Sequence, residues 1–116
     1  MFQDVSISAL HAALDGLAAR QRAVSDDVAN INTPNFTARR VDFENNLKQA
    51  LEGGTDPLAD DTPTVTASTA PYSLTNNNVD LDAETVLGVD TSLRYDLALR
   101  ATGDRFTLLR TAVRGS

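Results

Sequence analysis

What most constrains this chain is a stretch of alternating apolar spacings between Asp4 and Asn32. Ile7, Leu10, Leu14, Leu17, Gln21, Val24, Val28 and Ile31 follow one another at intervals of three and four, with Gln21 the single polar interruption. This is the heptad seam of a helix that pairs with another helix. On its opposite side Val5, Ala9, Ala12, Gly16, Ala19 and Ala23 form a second seam of mostly small residues, about 180° away at 100° per residue. A helix with two apolar seams needs two sets of neighbours. Its length, roughly 40 Å at 1.5 Å per residue, is large for so short a chain. Gly16 costs about 1 kcal/mol relative to Ala in a helix interior, which makes sense if something approaches the backbone closely there. Asp26 and Asp27 sit near the C-terminal end, where negative charge opposes the helix dipole, so a role beyond helix stability is expected of them.

Pro34 stops this helix and pushes Thr33 toward extended geometry. Asn35 tolerates positive φ, so Thr33 to Phe36 reads as a tight turn. Val41, Phe43, Leu47 and Leu51 then mark a short amphipathic helix from about Asp42 to Glu52, ended by Gly53-Gly54. From Gly53 to Asn78 the chain is turn and linker chemistry. Within it Thr64–Ala67 and Tyr72–Leu74 are the candidates for a weak hairpin, which is marginal in water by itself.

A second long helix is predicted from about Leu81 to Val113, capped by Asp80 or Asp82. Val86, Val89, Leu93 and Leu97 fall on one face of it and are assigned to pairing with the seam Ile7, Leu10, Leu14, Leu17, Val24, Val28 and Ile31. Tyr95, Leu99, Phe106, Leu109 and Val113 fall roughly opposite. The small-residue seam of the first helix is then the one left for other molecules. The predicted fold is mainly α. Two long terminal helices form an antiparallel coiled-coil hairpin, with a short helix and an irregular, weakly β or disordered middle segment. Residues 1–36, 37–80 and 81–116 form its three parts within one structural unit.

Composition excludes several functions. A formal net charge of −6 disfavours nucleic acid, whose phosphates demand a basic face. No cysteine is present, so there is neither a disulfide nor a thiolate metal site. Residues 1–30 show no secretory signal of the usual kind, and no apolar run is long enough to span a bilayer. His11 is the only histidine and has no partner base or ligand in sequence, so it reads as a surface or seam residue. Asp56, Asp60 and Asp61 do not follow calcium-loop spacing and read as solvated. No catalytic, cofactor or metal site is expected.

The segment Ala29-Asn30-Ile31-Asn32-Thr33-Pro34-Asn35-Phe36, followed by Ala38-Arg39 and Val41-Asp42-Phe43, resembles the signature of the bacterial flagellar rod and hook family. Asn78-Val79-Asp80-Leu81-Asp82 and Glu84, with the short length, are similar to the proximal rod members of that family. The resemblance covers both terminal segments, and the linker from Gly53 to Asn76 adds almost nothing. Asn35 stands where the family usually has glycine, a departure softened because Asn also accepts positive φ. The signature turn is therefore Asn30, Thr33, Pro34, Asn35 and Phe36.

The resemblance implies a non-enzymatic structural subunit of the flagellar basal body, located in the periplasmic rod. It implies export from the cytoplasm by the flagellar export apparatus without a cleavable signal peptide. Implied partners are copies of itself, other rod subunits and the adaptor joining the rod to its membrane-embedded ring, with no nucleic acid and no membrane insertion. Terminal helices of related axial proteins gather in the inner tube of the rod, where their contacts would carry torque. The competing reading is a soluble or secreted helical-hairpin adaptor that binds one partner through Arg100, Arg105, Arg110 and Arg114.

Overall fold

The computed structural model describes residues 2–57 and 63–114, with side chains from residue 7 onward. Five elements follow in order: α1 (Phe2–Ala29), β1 (Arg39–Asp42), α2 (Glu44–Glu52), β2 (Thr64–Ala67) and α3 (Leu81–Arg114). The predicted pair of long terminal helices is present, at 28 and 34 residues. They run antiparallel, so that Asp27 near the end of α1 meets the start of α3, while Leu17 and Gln21 face Thr91 and Tyr95. The molecule is elongated, 66 × 26 × 14 Å. Among the described residues, no helix is long and apolar enough to cross a membrane.

Each helix end has a local cause. Asp80 caps α3, its Oδ1 accepting the N–H groups of Asp82 at 3.0 Å and Ala83 at 3.3 Å. Glu84 then donates its N–H to the Asp80 carbonyl at 2.9 Å. At the end of α2 the N–H of Thr55 returns to the Ala50 carbonyl at 3.0 Å and that of Gly54 to Leu51 at 3.4 Å. This is a Schellman closure, and Gly54, with φ +71°, supplies the left-handed residue it needs. Gly53 stays right-handed.

The middle segment differs from expectation in two ways. Thr64–Ala67 pairs not with Tyr72–Leu74 but with β1, antiparallel, in the register Arg39↔Ala67 to Asp42↔Thr64. The reason lies in Val41, whose inward side chain is buried against α1 and fixes β1 as the strand to be extended. Tyr72–Leu74 instead leads into a turn, with Asn76 at φ +59° and its N–H on the Ser73 carbonyl at 3.0 Å. The short helix also begins at Glu44 rather than Asp42, because Asp42 is taken by the strand. Asp60 and Asp61 lie outside the described residues; Asp56 is exposed.

Candidate assembly site

The contact between α1 and α3 is built from residues that the apolar pattern does not single out. On α3 the buried positions are Glu84 and Thr91, and Gly88, Tyr95, Ala98 and Thr102 continue the same heptad-spaced face half-buried. A Cβ at Gly88 would lie 3.4 Å from Val24 Cγ1, so the Val24 side chain rests on α3 at this glycine. Threonine is tolerated inside because its hydroxyl is satisfied on its own helix. Thr91 donates to the Leu87 carbonyl at 2.6 Å and Thr102 to that of Ala98 at 2.8 Å. Beside this seam a groove of about 430 Å³ opens between Leu17, Gln21, Thr91 and Tyr95.

The residues of the first seam assigned to pairing therefore divide, and one of them, Ile31, lies in the turn beyond α1. Leu17 and Val24 are buried, Ile7, Leu10, Leu14 and Ile31 half-buried, and Val28 exposed. Their predicted partners on α3 are not there: Val86, Val89, Leu93 and Leu97 are 58–70% exposed. They lie on the side of α3 opposite the Glu84–Thr91–Ala98 seam, as 100° per residue requires. Close packing selects the smaller face, and the larger apolar face turns outward.

The small-residue seam is corrected in the opposite sense. Ala12 and Gly16 are buried within the chain itself, while Ala9, Ala19 and Ala23 are half-buried; the side chain of Val5 lies outside the described residues. The close approach expected at Gly16 is made by Phe43, whose ring atoms sit 2.2–2.6 Å from where a Cβ would be. Arg20, one turn further on, lies over the same ring, its guanidinium carbon 4.9 Å from the centroid. Its guanidinium donates to the Val41 carbonyl at 2.7 Å and to both oxygens of Glu44. Burial pushes the Glu44 carboxyl up, but the Arg20 hydrogen bond and charge outweigh it and hold the group below its ordinary range. The segment Val41–Glu44 thus covers the part of α1 around Gly16 and Arg20, in the middle of the face that the pattern had left for neighbouring molecules.

The signature turn is tied to the start of α3 by two asparagines that read in sequence as linker. Asn77 donates to the carbonyls of Asn30 and Thr33, each at 2.8 Å, and accepts the Val79 N–H at 2.8 Å. Asn78 accepts the Ala38 N–H at 2.6 Å and donates to the carbonyls of Ser68 at 3.1 Å and Ala70 at 3.3 Å. Both are buried and use donor and acceptor alike. Asn35, at φ +62°, accepts from Asn76 at 3.2 Å and donates its N–H to the Thr75 carbonyl at 3.0 Å. Pro34 and Thr33 are exposed and Phe36 half-buried. A run of asparagines immediately before a capped helix was the available signal for this knot. Asn78→Ala strands one buried N–H and two carbonyls, at a cost of about 3 kcal/mol in urea unfolding, and Asn77→Ala costs about 2 kcal/mol.

At the same end, Asp27 explains why an acid stands near the negative end of α1. Its two oxygens accept the Arg39 N–H, each at 3.2 Å, and it is fully buried. Burial raises its carboxyl to about 6; the Arg39 N–H opposes this, the neighbouring Glu84 adds to it, and Arg40 opposes it. Among the described residues no cluster of His, Asp and Glu is arranged to hold a metal ion, and His11 is exposed.

The outer face of α3 is open to partners along most of its length. Val86, Val89, Leu93 and Leu97 continue through Arg100 toward Leu108, and Phe106 and Val113 are also exposed. A stripe of large aliphatic side chains along a helix is the kind of surface that marks an interaction site.

No protein-family model matches the chain. Among curated proteins, the flagellar basal body rod protein FlgB of Escherichia coli strain K12 is 30% identical over 117 residues, covering 84% of this chain and 85% of its own. That of Bacillus subtilis strain 168 is 30% identical over 121 residues, covering 95% and 94%. That of Salmonella typhimurium strain LT2 is 27% identical over 131 residues, covering 97% and 95%. With matches running through nearly the whole length of such distant relatives, and with the long terminal helices in place, the chain belongs to the family of the flagellar basal body rod protein FlgB.

Proposed function

We propose that the chain is a structural subunit of the flagellar basal-body rod, and that it joins its neighbours through the outer face of α3. The observation carrying this reading is the stripe Val86, Val89, Leu93 and Leu97, a continuous row of large aliphatic side chains that stays 58–70% exposed while Leu17 and Val24 of α1 are buried within the chain. Such a stripe suits a further helix laid alongside, since aliphatic residues at three- and four-residue spacing present ridges to a neighbouring groove. Its occupants are the terminal helices of adjoining rod subunits and of other copies of this chain. The small-residue seam keeps a lesser share: Ala9, Ala19 and Ala23 are half-buried and offer close approach at its margins.

In this reading Asn77 and Asn78 hold the signature turn against the start of α3, so the angle between the hairpin and the middle segment is set within each subunit. Torque passes along the rod through packed helices, and the chain performs no catalysis. It reaches the periplasmic rod through the flagellar export apparatus, without signal-peptide cleavage, and the rod-to-ring adaptor is a further neighbour. The test is recovery in basal bodies. In a strain whose own copy is replaced by a C-terminally tagged chain, the protein co-purifies with detergent-extracted basal bodies, its N-terminus intact by mass spectrometry. Finding it only in soluble or culture-supernatant fractions of a motile strain contradicts the proposal and favours the secreted adaptor.

A further inference from the structure

Two carboxylates and one guanidinium meet where α1, β1 and α3 converge. Asp27 and Glu84 are both fully excluded from solvent. Arg40 serves both from a single nitrogen, Nη1, at 2.7 Å from Glu84 Oε1 and 3.5 Å from Asp27 Oδ2. Glu84 Oε2 is buried and has no hydrogen-bond partner among the described residues, a rare condition in folded proteins. If both acids were ionised, one surplus negative charge would lie in the interior, which is strongly unfavourable. Asp27 and Glu84 are also side-chain hydrogen-bond neighbours of one another, so a single proton between the two carboxyls removes that charge and gives the pair a donor.

We propose that Asp27, Glu84 and Arg40 form a one-proton latch: the proton held between the two carboxyls locks the first turn of α3 to α1 and β1 in mildly acidic medium, and its loss loosens the junction. The proton resides chiefly on Asp27. That residue sits at the negative end of α1, whereas Glu84 sits in the first turns of α3, at the positive end, and has the closer contact with Arg40. Other charged groups nearby point elsewhere. Asp26, on α1, is exposed and pairs with the Arg39 side chain at 3.8 Å. Asp80 and Asp82 are exposed at the start of α3, Asp80 serving as its cap. The strand β2 and the asparagines before α3 carry no charge.

The sign follows from the raised carboxyl of Asp27. Its folded value of about 6 lies above the ordinary 3.8, so the folded chain holds the proton more tightly than the unfolded chain. The stabilisation is complete below the ordinary value and is lost as pH rises through about 6. The pair between Arg20 and Glu44 responds at lower pH, because that carboxyl is lowered.

The experiment is urea unfolding of the full chain between pH 5 and 7.5, with His11 replaced by Gln throughout to remove its only imidazole. The unfolding constant of this parent rises on the order of tenfold across the window. Asp27→Asn abolishes the rise and is more stable than the parent at pH 7.5, since the amide can donate to Glu84 without a charge. Glu84→Gln, as a second variant, also abolishes the rise. A flat parent profile, a slope that survives in Asp27→Asn, or an Asp27→Asn chain less stable than the parent at pH 7.5 overturns the proposal. So does the absence of a cooperative transition at every pH.

Discussion

Phe43→Ala lowers the stability of the chain by about 3–5 kcal/mol, the range for removing a buried aromatic side chain from a packed core. The size of the effect comes from how much converges on one ring. Phe43 is buried, lies directly on the backbone of α1 at Gly16, and stacks under Arg20. Arg20 in turn ties Val41 and Glu44 to the same helix. Removing the ring leaves a gap that the helix backbone cannot move to fill. The complementary change, Gly16→Val, is also severe, because its Cβ alone would overlap the ring and Val41–Glu44 must lift away. Combined, Gly16→Val and Phe43→Ala cost less than the sum of the two, since the new side chain enters the vacated space. Urea unfolding of the four proteins checks this, and strict additivity would mean that the two positions do not touch.

The two long helices were legible because they rest on period and punctuation. The Asp80 cap sets a boundary that tertiary packing does not override, and α3 ends within a residue of the reading, whereas α1 ends at Ala29, several residues before Pro34 is reached. Which face of each helix turned inward was not legible. Apolarity alone assigned Val86, Val89, Leu93 and Leu97 to the pair, whereas the close approach at Gly88 and the self-satisfied hydroxyls of Thr91 and Thr102 favour the smaller face. Gly16 signalled a close approach, but the partner came from Phe43, 27 positions away by subtraction of the two residue numbers. The polar knot was the least visible part. An asparagine is common in linkers, and only the placement of Asn30, Thr33, Ala38, Ser68 and Ala70 around Asn77 and Asn78 reveals that these amides are filled. The strand pairing escaped for a similar reason: β1 and β2 are separated by a whole helix, so no local turn announces them.

These corrections move the expected assembly surface from α1 to α3, and the two placements separate cleanly under mutation. Enlarging Ala12 strikes a buried position and damages the subunit itself, so any loss of assembly there would be indirect. Charging the outer face of α3 does not. Leu93 and Leu97 are 60% and 65% exposed, lysine is a good helix former, and exposed substitutions of this kind change stability by roughly 0.5 kcal/mol or less. Placed against another helix in a rod, the same ammonium groups would be desolvated without partners, which costs several kcal/mol per contact. Repeated at each interface, that penalty is enough to prevent incorporation.

The decisive measurement is therefore to express the Leu93→Lys, Leu97→Lys chain as the only copy in the source bacterium, and to follow it into basal bodies while recording swimming. The prediction is a soluble protein with the parent's unfolding midpoint, absent from basal bodies, in cells that do not swim. Normal amounts of the variant in basal bodies of swimming cells would contradict the assignment of the α3 face.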